Sequence, residues 1–200
     1  LLALVALLLA AARWGVPYAM SLFAQDKLDR GLAADAKELY ALIDRYWPEE
    51  FGAKAGMDAA EQKIIDGLMN VGTDAAYEQA ALRAAAIGDT AREEKAFIAR
   101  AELAAANGDT GAAEALLAPL EDNEEAQSAL HRLIYDVAKA AKEKLDYPTA
   151  IARFDSLGDY EDAAAQKTDS IDLYGRLLMR EGKYQAACDQ FMQIADTGRS

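Results

Sequence analysis

The sequence holds one cysteine, one histidine and four prolines in 200 residues, and each scarcity excludes something. A lone cysteine, Cys188, leaves no internal disulfide and no thiolate metal site. Its place inside an amphipathic stretch predicts a small buried hydrophobe. The lone histidine, His131, stands beside Arg132 and reads as a surface or packing residue. There is no H-E-x-x-H, no phosphate-cradling glycine-rich loop, no G-x-S-x-G and no alternating calcium loop. Basic residues are also in the minority, with 21 Lys and Arg against 34 Asp and Glu, for a formal charge of −13. That balance disfavours nucleic acid, whose phosphates need a basic surface, and adsorption to anionic lipid head groups. The acidic runs Glu121-Asp122 with Glu124-Glu125, and Glu161-Asp162, fall at expected helix starts, where they complement the helix dipole. No catalytic residue, no cofactor and no metal ligand is therefore expected, and no enzyme activity.

What the chain does contain is apolar residues, 52% of the total, with alanine recurring throughout. Alanine loses no side-chain entropy in a helix and lets helices approach closely, so an all-helical fold is expected. Leu1 to Ala12 is an unbroken apolar run that Arg13 ends. Twelve helical residues reach about 18 Å, short of the roughly 30 Å hydrocarbon core. Since the sequence opens on Leu1, the run is expected to be the truncated end of a membrane anchor. A cleaved signal with Ala10-Ala11-Ala12 at its processing site stays open beside it, as does a soluble N-terminal helix.

Self-similarity is the informative signal. Tyr147, Ala150, Phe154, Leu157 and Asp159 recur as Tyr184, Ala187, Phe191, Ile194 and Asp196. The same spacing holds at Tyr77, Ala80, Ala84, Ile87 and Asp89, and at Thr110, Ala113, Leu117, Leu120 and Asp122. A looser copy lies at Ala33, Ala36, Tyr40 and Ile43. Successive copies start 44, 33, 37 and 37 residues apart. Within each copy the apolar steps of three and four residues trace one face of a helix. A second amphipathic stretch precedes each copy, such as Ile171, Tyr174, Gly175 and Leu178 before Tyr184, or Ile134, Val137, Ala138 and Ala141 before Tyr147. Each unit is thus two helices whose stripe needs a neighbouring unit to bury it, which predicts a solenoid.

The punctuation fits. Gly108-Asp109-Thr110 and Gly182-Lys183-Tyr184 should separate the helices of a unit, and Gly88-Asp89-Thr90 and Gly158-Asp159-Tyr160 the units themselves. Thr90 with Glu93, and Asp122 with Glu125, have capping-box spacing. Pro148 is expected in a first turn, and Pro119 late inside a second helix. The tyrosines at 147, 160, 174 and 184 recur with the repeat and are expected to pack in the core.

Gly182-x-Tyr184-x-x-Ala187-x-x-x-Phe191, with Gly175 seven residues before Gly182, resembles the tetratricopeptide repeat (TPR). Pro48, fifteen residues after Ala33, matches the proline that closes a TPR helix pair. The run from Phe154 to Ala163, with Leu157-Gly158-Asp159-Tyr160 at its centre, further resembles LGDY-type repeat proteins of Gram-positive gut bacteria, which often carry one membrane span ahead of the repeats. The resemblance implies an all-α, TPR-like solenoid of stacked antiparallel helix pairs, preceded by an N-terminal hydrophobic helix. The expected divisions are 1–24 for the anchor or signal segment, 25–56 for a first helix pair and connector, and 57–200 for the repeat array. The array ends at Ser200 with no polar capping helix, so truncation is expected there as well.

In TPR-like stacks the first helix of each pair lines a concave groove that binds peptide. Mapping that face onto the last two units selects Arg132, Tyr135, Lys139, Lys142 and Glu143, then Asp169, Asp172, Arg176, Met179 and Arg180. Arg132, Tyr135, Lys139, Lys142, Arg176 and Arg180 are the candidate partner-binding residues, and this net basic strip would suit an acidic peptide or a C-terminal carboxylate. A solvated face laced with i, i+4 pairs is the competing account. The expected function is a protein–protein interaction scaffold or adaptor, tethered to a membrane with its repeats extracytoplasmic, or secreted after signal cleavage. The other class is a non-catalytic helical arm of a larger enzyme or sensor.

Overall fold

The computed structural model describes residues 10–197. Among them there are ten α-helices and no strand: α1 (Val16–Asp29), α2 (Ala33–Tyr46), α3 (Ala53–Val71), α4 (Asp74–Ile87), α5 (Thr90–Ala106), α6 (Thr110–Leu117), α7 (Glu124–Glu143), α8 (Tyr147–Leu157), α9 (Ala163–Arg180) and α10 (Tyr184–Thr197). A π-helical turn, Ala11–Gly15, leads into α1. The chain divides into two units, residues 1–100 and 101–200, with the division inside α5.

All five copies of the sequence pattern lie on the even-numbered helices, except that Asp89, Leu120, Asp122 and Asp159 fall beyond their helix ends, so the odd and even helices are the first and second members of five pairs. Ala36, Ala80, Ala113, Ala150 and Ala187, which hold one register position, are all buried. One turn on, Tyr40, Ala84, Leu117 and Phe154 are buried too. A stripe that repeats each turn can only leave water against a neighbouring helix, and those neighbours are present. In the first unit Tyr40 and Ile43 of α2 pack with Ala24 of α1 and Ala53 of α3, and Ile65 of α3 packs with Ala80, Ala81 and Ala84 of α4 and Ala96 of α5. In the second unit Phe154 and Leu157 of α8 pack between Ala138 and Ala141 of α7 and Ala163 of α9. Helices α2, α4 and α8 are thus each shared between two first helices, which is how stacked pairs extend a core within a unit.

Close helix approach is set by two glycines. A Cβ on Gly175 of α9 would lie 2.6 Å from the Phe191 ring of α10, and one on Gly56 of α3 would lie 2.5 Å from the Tyr40 ring. Elsewhere Gly88 closes α4 at φ 70°, where an L side chain is disfavoured.

Several local expectations are corrected. Pro119 is not inside a helix: α6 ends at Leu117, because proline lacks the N–H and its ring clashes with the preceding turn. The cap before α5 is Asp89, whose carboxylate accepts from Arg92 N at 3.1 Å, and the cap before α7 is Asn123, which accepts from Ala126 N at 2.9 Å. Both stand one residue away from the expected capping boxes, since Thr90 already lies within its helix and Asp122 lies ahead of the cap. Cys188 is exposed, not buried, and so are Tyr184 and Met192. These three follow one another at i, i+4 on a face of α10 that no described residue covers.

The expected segment 1–24 meets the structure only in part, because residues 1–9 of the apolar run lie outside the described residues. Among the described residues no helix is long and apolar enough to cross a membrane. From Val16 the chain already belongs to the first helix pair, with Pro17, Ala24 and Leu28 buried and Asp26, Lys27 and Asp29 closing the helix. The helix therefore crosses the expected boundary at residue 24.

Candidate functional site

The first helices of the second unit carry the residues selected for a groove. Helix α7 runs twenty residues and α9 eighteen, long enough to hold three turns of side chains above the second helices that support them. Their buried faces are mostly apolar (Ala126, Ala138 and Ala141 on α7; Ala163, Ile171, Gly175 and Leu178 on α9, with Ser170 bonded to its own helix at Gln166 O), and the exposed positions lie opposite by helical periodicity.

Four of the selected residues and their neighbours line two grooves. Lys139, Lys142 and Glu143 line an open groove of about 420 Å³ with Leu145, Tyr147, Gln166 and Leu173. Arg132 instead lines a separate groove of about 300 Å³ with Glu102 and Asp136, over a floor of Ala101, Ala105, Leu117, Ala129 and Leu133. The small residues Ala101 and Ala105, one turn apart on α5, open that space, and their spacing was visible in the sequence.

Electrostatically the strip is largely compensated. Lys142 donates to Gln166 Oε1 at 2.8 Å and to Asp169. Arg132 donates to Glu102 at 3.3 Å, and Arg176 pairs with Asp172 at 2.8 Å along its own helix. Lys139 lies 5.4 Å above the Tyr135 ring. Among the described residues only Lys139 and Arg180 of the six candidates with Arg132, Tyr135, Lys142 and Arg176 form neither an ion pair nor a hydrogen bond.

Tyr135 is held by the protein itself. Its hydroxyl donates to Asp162 and its ring meets Phe154 and Tyr160 edge-on at 5.7 and 6.0 Å. The hydrogen bond to Asp162, then burial, push the phenol up to about 12. Hydrogen bonds from Gln166 first and Tyr135 second hold the Asp162 carboxyl below its usual range. The His131 ring meets Tyr160 at 5.4 Å between centroids, tilted by 57°.

One charged residue escaped the sequence reading. Glu61 on α3 is buried, 5% exposed, and bridges Lys37 on α2 and Arg83 on α4. Burial alone would raise its pKa; the hydrogen bonds from Lys37 and Arg83 outweigh that and lower it. Nothing in a single stretch of sequence marks it, because its partners come from two other helices. No protein-family model matches the chain, and neither does any curated protein.

Proposed function

We propose that the chain is a protein–protein interaction scaffold of TPR-like helix pairs, held at a membrane through its N-terminal segment with the repeats on the extracytoplasmic side. The observation that carries this reading is the pair of grooves along the first helices of the second unit. Each has an apolar floor or wall between charged rims, which suits an extended peptide that places small apolar side chains between acidic or amide groups. Lys139 lies over the Tyr135 ring and makes no ion pair among the described residues, although the Asp162 carboxylate feels its charge, and it is the cation best placed to meet an acidic group on that peptide.

A peptide-display selection against the full chain tests this. Enriched sequences should carry Asp or Glu next to an apolar residue. Lys139→Glu combined with Lys142→Glu, both on the same groove, should weaken them about tenfold, the factor that roughly 1.4 kcal/mol of lost rim attraction produces. Absence of enrichment, or equal affinity for the double variant, would retire the groove.

A further inference from the structure

We infer that the end of the first helix pair from which the N-terminal segment emerges is an aromatic collar that sits in the head-group layer of a lipid bilayer. The inference rests on the membrane attachment proposed above and adds which surface touches the lipid. Helices α1 and α2 form an antiparallel hairpin turned at Gly31, with Lys27 paired to Asp35 near the turn and Tyr40 bonded to Gln25 midway. The opposite end therefore joins the start of α1 to the finish of α2, and both tryptophans of the chain are there. Trp14 and Tyr18 are 59% and 58% exposed, and Tyr46 is 64% exposed and edge-on to Trp47 at 6.0 Å.

The connector after α2 is shaped to complete this cluster. Glu49 and Phe51 hold φ of 62° and 52°, a region L side chains rarely adopt. That path brings Glu50 onto Arg13 in a two-point contact (2.9 and 2.5 Å) and the Phe51 ring edge-on to Trp14 at 5.9 Å. Arg13, which also lies over the Trp14 ring at 5.1 Å, is thereby neutralised at the collar.

Three features select a bilayer over a protein partner. The apolar run Leu1–Ala12 enters the structure at this end, and the helix has no start there: Gly15 has helical φ and ψ (−73° and −43°), so the π-helical turn passes into α1 without a cap. Tryptophan and tyrosine rings, apolar in body with a polar edge, favour the head-group level. Compensated charge and a chain of −13 fit a surface recognised through its interfacial polarity, not through lipid charge.

The test uses the full chain with Trp47→Phe, so that Trp14 is the single fluorescent tryptophan, mixed with phosphatidylcholine vesicles. The expected result is flotation with the vesicles and a blue shift of Trp14. Lipid brominated near the glycerol end of the acyl chain should quench it more strongly than lipid brominated near the methyl end. The reciprocal Trp14→Phe protein should report the same ordering from Trp47, which guards against a variant that misfolds. Flotation with Trp14 still open to aqueous iodide overturns the collar and leaves the attachment standing. Stronger quenching from the methyl end places Trp14 in the hydrocarbon and also overturns it. A protein that does not float removes attachment and collar together, and a blue shift without lipid assigns the surface to a protein contact instead.

Discussion

Glycine to alanine is the same chemical change at residues 56 and 67 of α3, and the structure predicts opposite outcomes. At Gly67 an added Cβ meets nothing within 4 Å, so Gly67→Ala should express only the higher helix propensity of alanine, about 0.5–1 kcal/mol of stabilisation. At Gly56 the new methyl would lie 2.5 Å from Cε1 and Cζ of Tyr40. Carbon atoms pack at roughly 3.5–4.0 Å, so the ring must withdraw by about 1 Å or more. Tyr40 has little room to do so: it is 4% exposed, packed with Ala24, Ile43 and Ala53, and bonded to Gln25 at 3.1 Å. Overpacking costs about 1–3 kcal/mol and a strained hydrogen bond about 1 more, against a propensity gain of about 0.5 in a first turn. Gly56→Ala should therefore destabilise by about 1–3 kcal/mol. Urea unfolding followed by helix ellipticity reads this as a midpoint lowered by about 0.5–1.5 M, with Gly67→Ala raising it by a few tenths. Tyr40→Leu, which removes the ring, should lessen the cost of Gly56→Ala, a coupling a double-mutant cycle would expose. Midpoints that move together for the two glycines would refute the placement of Tyr40 against α3.

Glu61→Gln should cost about 1–3 kcal/mol, less than breaking a fully buried pair because Lys37 and Arg83 remain partly hydrated. Since the folded carboxyl is held below its unfolded pKa, its contribution is complete above about pH 4.3 and fades as pH falls through the folded value. Thermal unfolding between pH 6 and pH 3 should accordingly fall more steeply in the parent than in Glu61→Gln, and parallel curves would discard the bridge. Tyr135→Phe keeps the ring contacts with Phe154 and Tyr160 but loses the hydroxyl donated to Asp162, for a loss of about 0.5–1.5 kcal/mol. In a spectrophotometric titration it should delete the phenol that ionises near 12; loss of a component at the ordinary value near 10 would contradict the geometry.

The helix pairs were legible because their signal is local. Ala150, Phe154 and Leu157 lie within two turns of one helix, so their shared face follows from 3.6 residues per turn whatever surrounds it. The groove was legible only by position. Lys142 spends its charge on Asp169 of the next first helix, and Arg176 on Asp172 of its own. The second pair could be read from i, i+4 spacing, whereas the first depends on the register between two helices.

By itself the sequence determined the order of the second helices and the alanine that each of them buries, since an amphipathic stripe needs only the period of one helix to be read. Tertiary structure alone decided which buried carboxylate is bridged by two cations, which face of α10 leaves Tyr184 and Cys188 in water, and that both tryptophans gather at one end of the first hairpin. The physical reason is that burial and ion pairing are properties of two surfaces in contact. A helix specifies its own apolar stripe, but what lies opposite, and at what register, is set by helices far away in the chain.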